Sequence, residues 1–351
     1  MISKTFYGTL PDGRDVHTLS LRNSNGMQVD IITYGATVTR ILVPDRNNNF
    51  GDVVLGYDTL DKYIDDEFYL GAAIGRFANR IARGRFVLNG KEYNLPLNNN
   101  GNHLHGGPGG LQKVLWNILP ANDYQADSVK LNYISKDGEG GYPGELNVSA
   151  VFSLNESNEL AIHFEASSDK PTILNLAHHS YFNLSGNPSS SIDDHQLEIN
   201  ADAYTPIMPN GIPAGSIDKT ENTPMDFRSA KKVGERIGDN FDQLTAAGGY
   251  DHNYVLNGGA DKITKSASLY EPFSGRYMEL FTDQPGIQLY TGNFLKDTAG
   301  KDGIVFRRRS GLCLETQNFP DAPNHSNFPS AVLNEGELYS KTTVYKFSVK
   351  Q

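Results

Sequence analysis

Five places in this chain gather side chains able to do chemistry. His103 and His105 stand one residue apart in NHLHGGPGG. On a strand they would share a face, which is how a metal site begins. Such a site would want a carboxylate a few residues on, and Gly106, Gly107, Pro108, Gly109 and Gly110 follow instead. We therefore read no metal here; the glycines point to a sharp turn or to backbone lying close to a ligand. In NLAHHSYFNL, Asn175 to Leu184, strand geometry turns Ala177, His179, Tyr181 and Asn183 one way. Leu176, His178, Ser180 and Phe182 turn the other way, so one face is polar and aromatic, as a sugar-binding surface would be. Glu315 ends the apolar run Leu312, Cys313, Leu314. A carboxylate there is costly unless paired or used, and burial raises its pKa toward the range of a general base. Two readings stand level for it: a proton acceptor, or an ion pair with Arg307, Arg308 or Arg309. Asp251 in GGYDHNYVL and the arginines of GRFANRIARGRF (Arg76, Arg80, Arg83, Arg85) complete the set. The arginines, by themselves, read as a solvated or salt-bridged face.

Short strands must position these groups. Gly 35 and Pro 17 among 351 residues, with an aromatic share of 10%, favour many strands and turns over long helices. Polar and apolar residues alternate from Gln28 to Ile31, through Val129, Leu131 and Tyr133, and through Leu160, Ile162 and Phe164. Leu197 with Ile199, Ala267 with Leu269, and Ile287 with Leu289 repeat the pattern. Asn89-Gly90, between two strand-like runs in Arg85–Leu95, predicts a tight hairpin. The best helical stretch is Ser229–Ile237, and it contains Gly234. Asn47–Asn49, Asn98–Asn100 and Ser189–Ser191 read as surface loops. The expectation is an all-β chain, a large antiparallel β-sandwich, forming a single domain over 1–351.

Charge and missing motifs narrow the function. Thirty-one Lys and Arg against 41 Asp and Glu give a net charge of −10, which lacks the field that draws nucleic acid or anionic lipid. No run approaches 18 apolar residues, so no membrane span is expected. The first twenty residues are polar, and Cys313 is the lone cysteine, so an internal disulfide is impossible and a cytoplasmic location is expected. There is no G-x-x-x-x-G-K-[ST], GPGGLQ fails the dinucleotide spacing, and no G-x-S-x-G elbow occurs.

Taken in order, TYGATVTRILVPDR, DVVLGYD, GRFANRI, NHLHGG, NLAHHSYFNL, YTPIMPNGIPAG, TPMDFR, YDHNYVL, PGIQLYTGN, LCLETQNFPDAPNH and NFPS resemble the aldose 1-epimerase (galactose mutarotase) family. These segments cover most of the chain. The family's central motif reads N-x-T-N-H-x-Y-F-N-L, and this chain departs from it at Ala177 and His178 while keeping His179. The resemblance implies the galactose mutarotase-like supersandwich, with a wide concave face holding the sugar. It also implies Glu315 as general base, His179 as general acid and His105 as a second active-site histidine. Asn79, Arg80, Ser180, Tyr181, Asp251 and Gln288 match substrate-contacting positions. The implied partner is a monosaccharide such as galactose or glucose, with no cofactor, no metal, no nucleic acid and no membrane, in a monomer or homodimer.

Interchanging anomers requires a proton to leave the C1 hydroxyl and another to reach the ring oxygen, in either order of roles. A carboxylate and an imidazole can both switch roles near neutral pH, and each positioned transfer typically contributes ~10²–10⁴-fold. Three alternatives come from other classes. A non-catalytic carbohydrate-binding sandwich would have no reason to keep an acid and a base together. A glycoside hydrolase normally uses two carboxylates, and here a histidine fills the acid position. A hexose-phosphate epimerase would need more cations around the site than Arg80.

Overall fold

The computed structural model describes residues 1–120, 127–258 and 262–351. Its framework is two antiparallel sheets. The larger runs in the order Asn117–Leu119, Ser128–Ser135, Leu146–Leu154, Glu159–Ser168, Tyr339–Val349, Arg276–Thr282, Thr264–Tyr270, Gln196–Ile199 and Lys231–Lys232. The second has Tyr181–Phe182, Leu312–Gln317, Gly286–Tyr290, Asp251–Val255, Ala203–Thr205 and Asp218–Lys219. A five-stranded meander over Ile2–Thr9, Asp15–Arg22, Gln28–Ile32, Thr37–Pro44 and Phe50–Asp52 completes the all-β sandwich.

Alternation explains the layering. Leu312, Leu314, Ile287, Leu289 and Tyr254 of the six-stranded sheet share one apolar core with Phe152, Phe164, Met278, Leu280, Tyr345 and Phe347 of the nine-stranded sheet. At full burial each such side chain contributes about 1.5–3 kcal/mol. Where the two sheets meet, Thr316 Oγ1 lies 2.5 Å from Thr343 Oγ1, so a polar pair inside the sandwich is satisfied. Every second residue, Cys313, Glu315 and Gln317 on one strand, is turned to the opposite face. That face is covered too: all of Leu312–Gln317 and Gly286–Tyr290 are buried.

Each alternating run named above lies in a strand, and the hairpin forms as expected. Leu88 pairs with Lys91 across Asn89-Gly90, whose φ values of 51° and 76° are those of the primed turn that twists with its strands. The helix expected at Ser229–Ile237 does not form. Lys231–Lys232 instead adds an edge strand to Gln196–Leu197, and Gly234 N–H donates to Asp193 O at 2.8 Å. The apolar pair that mimicked helical spacing, Val233 and Ile237, is buried from turns. The α-helices lie elsewhere among the described residues and are short, Leu60–Ile64 and Asp242–Ala247. No helix among the described residues is long and apolar enough to cross a membrane.

Candidate active site

NLAHHSYFNL is not one strand. Ala177–His178 pairs with Ala73–Ile74, the chain breaks register at His179 and Ser180, and Tyr181–Phe182 joins Leu312–Cys313. His179 is fixed at this break on both sides. Its N–H donates to Ala72 O at 2.9 Å, and its carbonyl accepts from Gly71 N–H at 3.0 Å. The ring thereby faces Glu315, with His179 Nε2 3.5 Å from Glu315 Oε1. Both side chains are almost fully buried, yet both line a cavity of about 420 Å³. Tyr181 lines the same cavity, its ring 5.1 Å from that of His179, and its hydroxyl donates to Phe68 O at 2.9 Å. Asn183 leaves that face and bonds the carbonyls of Ser190 and Ser310.

The other implied residues arrive from separate elements. Asn79 and His105 both hold positive φ, 63° and 52°, in a sparsely used region that marks constrained backbone. The two residues bond reciprocally: His105 N–H donates to Asn79 O, and Asn79 N–H donates to His105 Nδ1, each at 3.1 Å. Because Nδ1 accepts, the ring proton of neutral His105 sits on Nε2. Arg80 stands 3.6 Å from Asp251, and Gln288 Nε2 donates to Asp251 Oδ1 at 2.7 Å. Strand register explains that contact, since Gln288 pairs with Glu315 on one side and Asn253 on the other, next to Asp251. Asn79, Arg80, His105 and Asp251 line the cavity with His179, Tyr181 and Glu315. Gln288 lies behind Asp251, and Ser180 turns away to His178, 3.3 Å from its Nδ1. His178, one of the two departures from the family motif, is buried beside Phe152 and does not line the cavity.

The structure decides between several expectations left open above. None of Arg307, Arg308 and Arg309 pairs with Glu315: they meet Asp297, Gly248 O and Asp193. The arginines of GRFANRIARGRF are not one solvated face. Arg76 is buried and donates to the carbonyls of Ser135, Lys136, Pro143 and Gly144, while Arg80 enters the cavity. Of the glycines after His105, Gly106 and Gly110 serve close backbone packing, since a Cβ on them would fall 1.7 and 2.9 Å from Gly75 O, whereas a Cβ on Gly109 would meet nothing within 4 Å. Asn98–Asn100 is more than a surface loop. Asn98 brackets Leu104 with two hydrogen bonds, and Asn99 and Asn100 line the cavity.

Tyr69 was not foreseen. It lies within 4.7 Å of the His105 ring and 5.8 Å of the His179 ring, centroid to centroid. It is held there at a φ of 60°, and Asp66 accepts from the N–H groups of Phe68 and Leu70 on either side of it. Phe294 and Lys296 at the cavity rim were also unforeseen.

Burial sets the proton affinities. It pushes the Glu315 carboxyl well above its ordinary value, helped by the Asp251 charge and opposed by Arg80. Burial also lowers His179 to about 4 and takes His105 well below the usual imidazole range. His105, His179 and Glu315 offer donor atoms within 4.8 Å of one another, the reach of a metal site. The His105 tautomer argues against that use, because Nδ1 is already occupied and Nε2 carries a proton. What the site can do is move protons between two facing groups above a bed of hydroxyl-binding side chains.

A broad antiparallel sandwich with a carboxylate–imidazole pair at the floor of a polar, aromatic-walled cavity defines a sugar-handling acid–base site. The family model for aldose 1-epimerase matches residues 17–346. The chain is 44% identical to galactose mutarotase of Rattus norvegicus and 42% identical to that of Homo sapiens, each over 99% of both chains. It is 36% identical to aldose 1-epimerase of Escherichia coli K12 over 96% of both. Galactose 1-epimerase from Lactobacillus acidophilus superposes with a TM-score of 0.87 at 29% identity, covering 100% of each chain. The chain belongs to the aldose 1-epimerase family.

Proposed function

We propose that Glu315 and His179 are the acid–base pair that opens and recloses the pyranose ring. The chain is an isomerase that interconverts the α and β anomers of free aldohexoses, galactose and glucose among them. The observation that carries the assignment of residues is the 3.5 Å approach of His179 Nε2 to Glu315 Oε1 at the cavity floor.

One proton serves the pair. With Glu315 ionised and His179 protonated, Glu315 takes the proton from O1 while His179 gives its proton to O5. The C1–O5 bond breaks, a C1=O1 carbonyl forms, and both groups end neutral. The pair carries one net proton before ring opening and one after it. Burial disfavours charge on both residues, so the step that discharges them is the one the dry site promotes. Rotation about C1–C2 then offers the other carbonyl face to the O5 hydroxyl, and the two transfers run backwards. His105, neutral and with its proton on Nε2, donates a hydrogen bond toward the sugar oxygens without gaining or losing a proton. Asp251, oriented by Gln288 and Arg80, holds hydroxyls far from C1 together with Asn79, which leaves C1 free to turn.

A phosphorylated hexose fits less well. Arg80 is already committed to Asp251 and Asn99, and the further cation among the lining residues is Lys296 at the rim. We also propose a single domain over 1–351 acting in the cytoplasm as a monomer or homodimer, in keeping with one buried thiol, Cys313. Exchange NMR on equilibrated galactose and glucose tests the reading. Faster α–β exchange on both sugars is expected with catalytic amounts of protein. Acceleration on glucose 6-phosphate with none on free glucose would overturn it.

A further inference from the structure

Around Glu315, Gln288 and Asp251, the same three strands carry two further buried amides, Asn253 across from Gln288 and Gln317 two residues beyond Glu315, that the mechanism leaves unused. Gln317 pairs with Gly286, and Asn253 lies two residues beyond Asp251 on the next strand. Residues two apart share a face, so Gln317 follows Glu315 and Asn253 follows Asp251 on the cavity side of the sheet. Gly286 stands between them. A Cβ there would lie 2.5 Å from Asn253 Oδ1 and 3.1 Å from the Phe319 ring, so the Asn253 amide leans over the glycine toward the Gln317 strand.

Gln317 is 0% exposed and Asn253 1% exposed. Among the described residues, neither the nitrogen nor the oxygen of either amide has a protein partner, and the same is true of Glu315 Oε2 and Gln288 Oε1. Six such atoms on one patch of three strands are far from the native norm. Buried polar groups are satisfied by protein or by ordered water, and leaving one unpaired costs about 1–3 kcal/mol.

We propose that Gln317 and Asn253 bind ordered water beneath the acid–base pair, and that Gln317 is a positioning residue for Glu315 acting through that water. The proposal rests on the reading of Glu315 as the base. Donor and acceptor counts agree with it: a water accepting from Gln317 Nε2 has two hydrogens left, one for Glu315 Oε2 and one for Gln288 Oε1. A hydrogen bond to a carboxylate is stronger than one to a neutral carboxyl, so this water favours the ionised form that burial opposes. The other groups acting on Glu315 do not change when Gln317 does. They are His179, His105, Asp251 and Arg80 around the cavity, Cys313 and Tyr181 beside it, and Tyr345 from the nine-stranded sheet.

The test is the pH profile of kcat/KM for galactose in wild type, Gln317→Met and Glu315→Gln. Met keeps the length of Gln317 and removes its polar atoms. With Glu315 raised above His179, loss of the pair's one proton follows Glu315, so the alkaline limb should move up by about one pH unit, a tenfold gain in proton affinity, with KM changed less than about twofold. An unmoved alkaline limb in a folded Gln317→Met protein, with Glu315→Gln inactive, overturns the positioning role and leaves the base intact. A fully active Glu315→Gln overturns the base reading itself. A high-resolution crystal structure of the wild type decides the matter even if Gln317→Met fails to fold. Water bridging Gln317 and Glu315 is the expected result, and direct amide-to-amide contact without water overturns the proposal.

Discussion

The two faces of the six-stranded sheet are made by the same strands and answer to opposite demands. Leu312, Leu314, Ile287 and Leu289 look into the sandwich, are fully apolar, and lock the sheet to its larger partner. One residue along, Cys313, Glu315, Gln317 and Gln288 lie on the cavity side of the sheet, Glu315 lining the cavity itself, where burial opposes its charge and several polar atoms lack a protein partner. The first face supplies the stability that lets the second hold a carboxylate in a place where it is unfavourable and useful. The sheet fixes Glu315, and the backbone bonds to Ala72 and Gly71 fix His179, which holds His179 Nε2 3.5 Å from Glu315 Oε1.

That contrast breaks most sharply at Glu315. Glu315→Gln should lower kcat by about 10²–10⁴-fold, the range of one positioned proton transfer, with the fold intact by circular dichroism. Its neighbour on the other face should behave in the opposite way. Leu314→Ala should cost about 2–5 kcal/mol in denaturant unfolding and leave the turnover per folded molecule near wild type. Asp251→Ala is expected to reduce kcat/KM for galactose by about 10–100-fold, mostly through KM, because it removes a charged hydroxyl partner and no proton donor. Steady-state kinetics on galactose and glucose checks that division.

The smallest effect sharpens the comparison from the side of stability. The folded protein raises the Glu315 pKa above its unfolded value, so the contribution of this carboxyl is fully present below about pH 4.5 and is lost as pH rises through the folded value. At neutral pH, Glu315→Gln should therefore melt about 1–3 °C higher than wild type, and the gap should close below pH 4.5. A variant that is more stable and inactive is the signature expected of a residue kept for chemistry.

Period-2 alternation made the framework legible, because one buried face per strand leaves a local pattern. The Asn89-Gly90 turn was equally plain, since few other pairs tolerate two positive φ values. Glu315 stood out for the same local reason, as a carboxylate closing an apolar run. Ser229–Ile237 misled because Val233 and Ile237 carry helical spacing, and the pairing with His195 and Asp193 that overrides it comes from forty residues away in round terms. The division between Arg76 and Arg80 was not legible either. Both sit in one motif, and only the tertiary fold sends the first to backbone carbonyls and the second to Asp251. Tyr69 reads as an ordinary apolar residue until Asp66 fixes its loop over the two imidazoles. Asn253 and Gln317 look like routine strand residues, and the register that places them around Gln288 and Glu315 is set by pairing between distant strands.

Polarimetry on freshly dissolved α-D-galactose, comparing wild type with Glu315→Gln and His179→Asn, tests the central claim most directly. The account predicts rapid decay to the equilibrium rotation with wild type and near-buffer rates with either variant. Wild-type speed from either variant, at equal folded concentration, would contradict it.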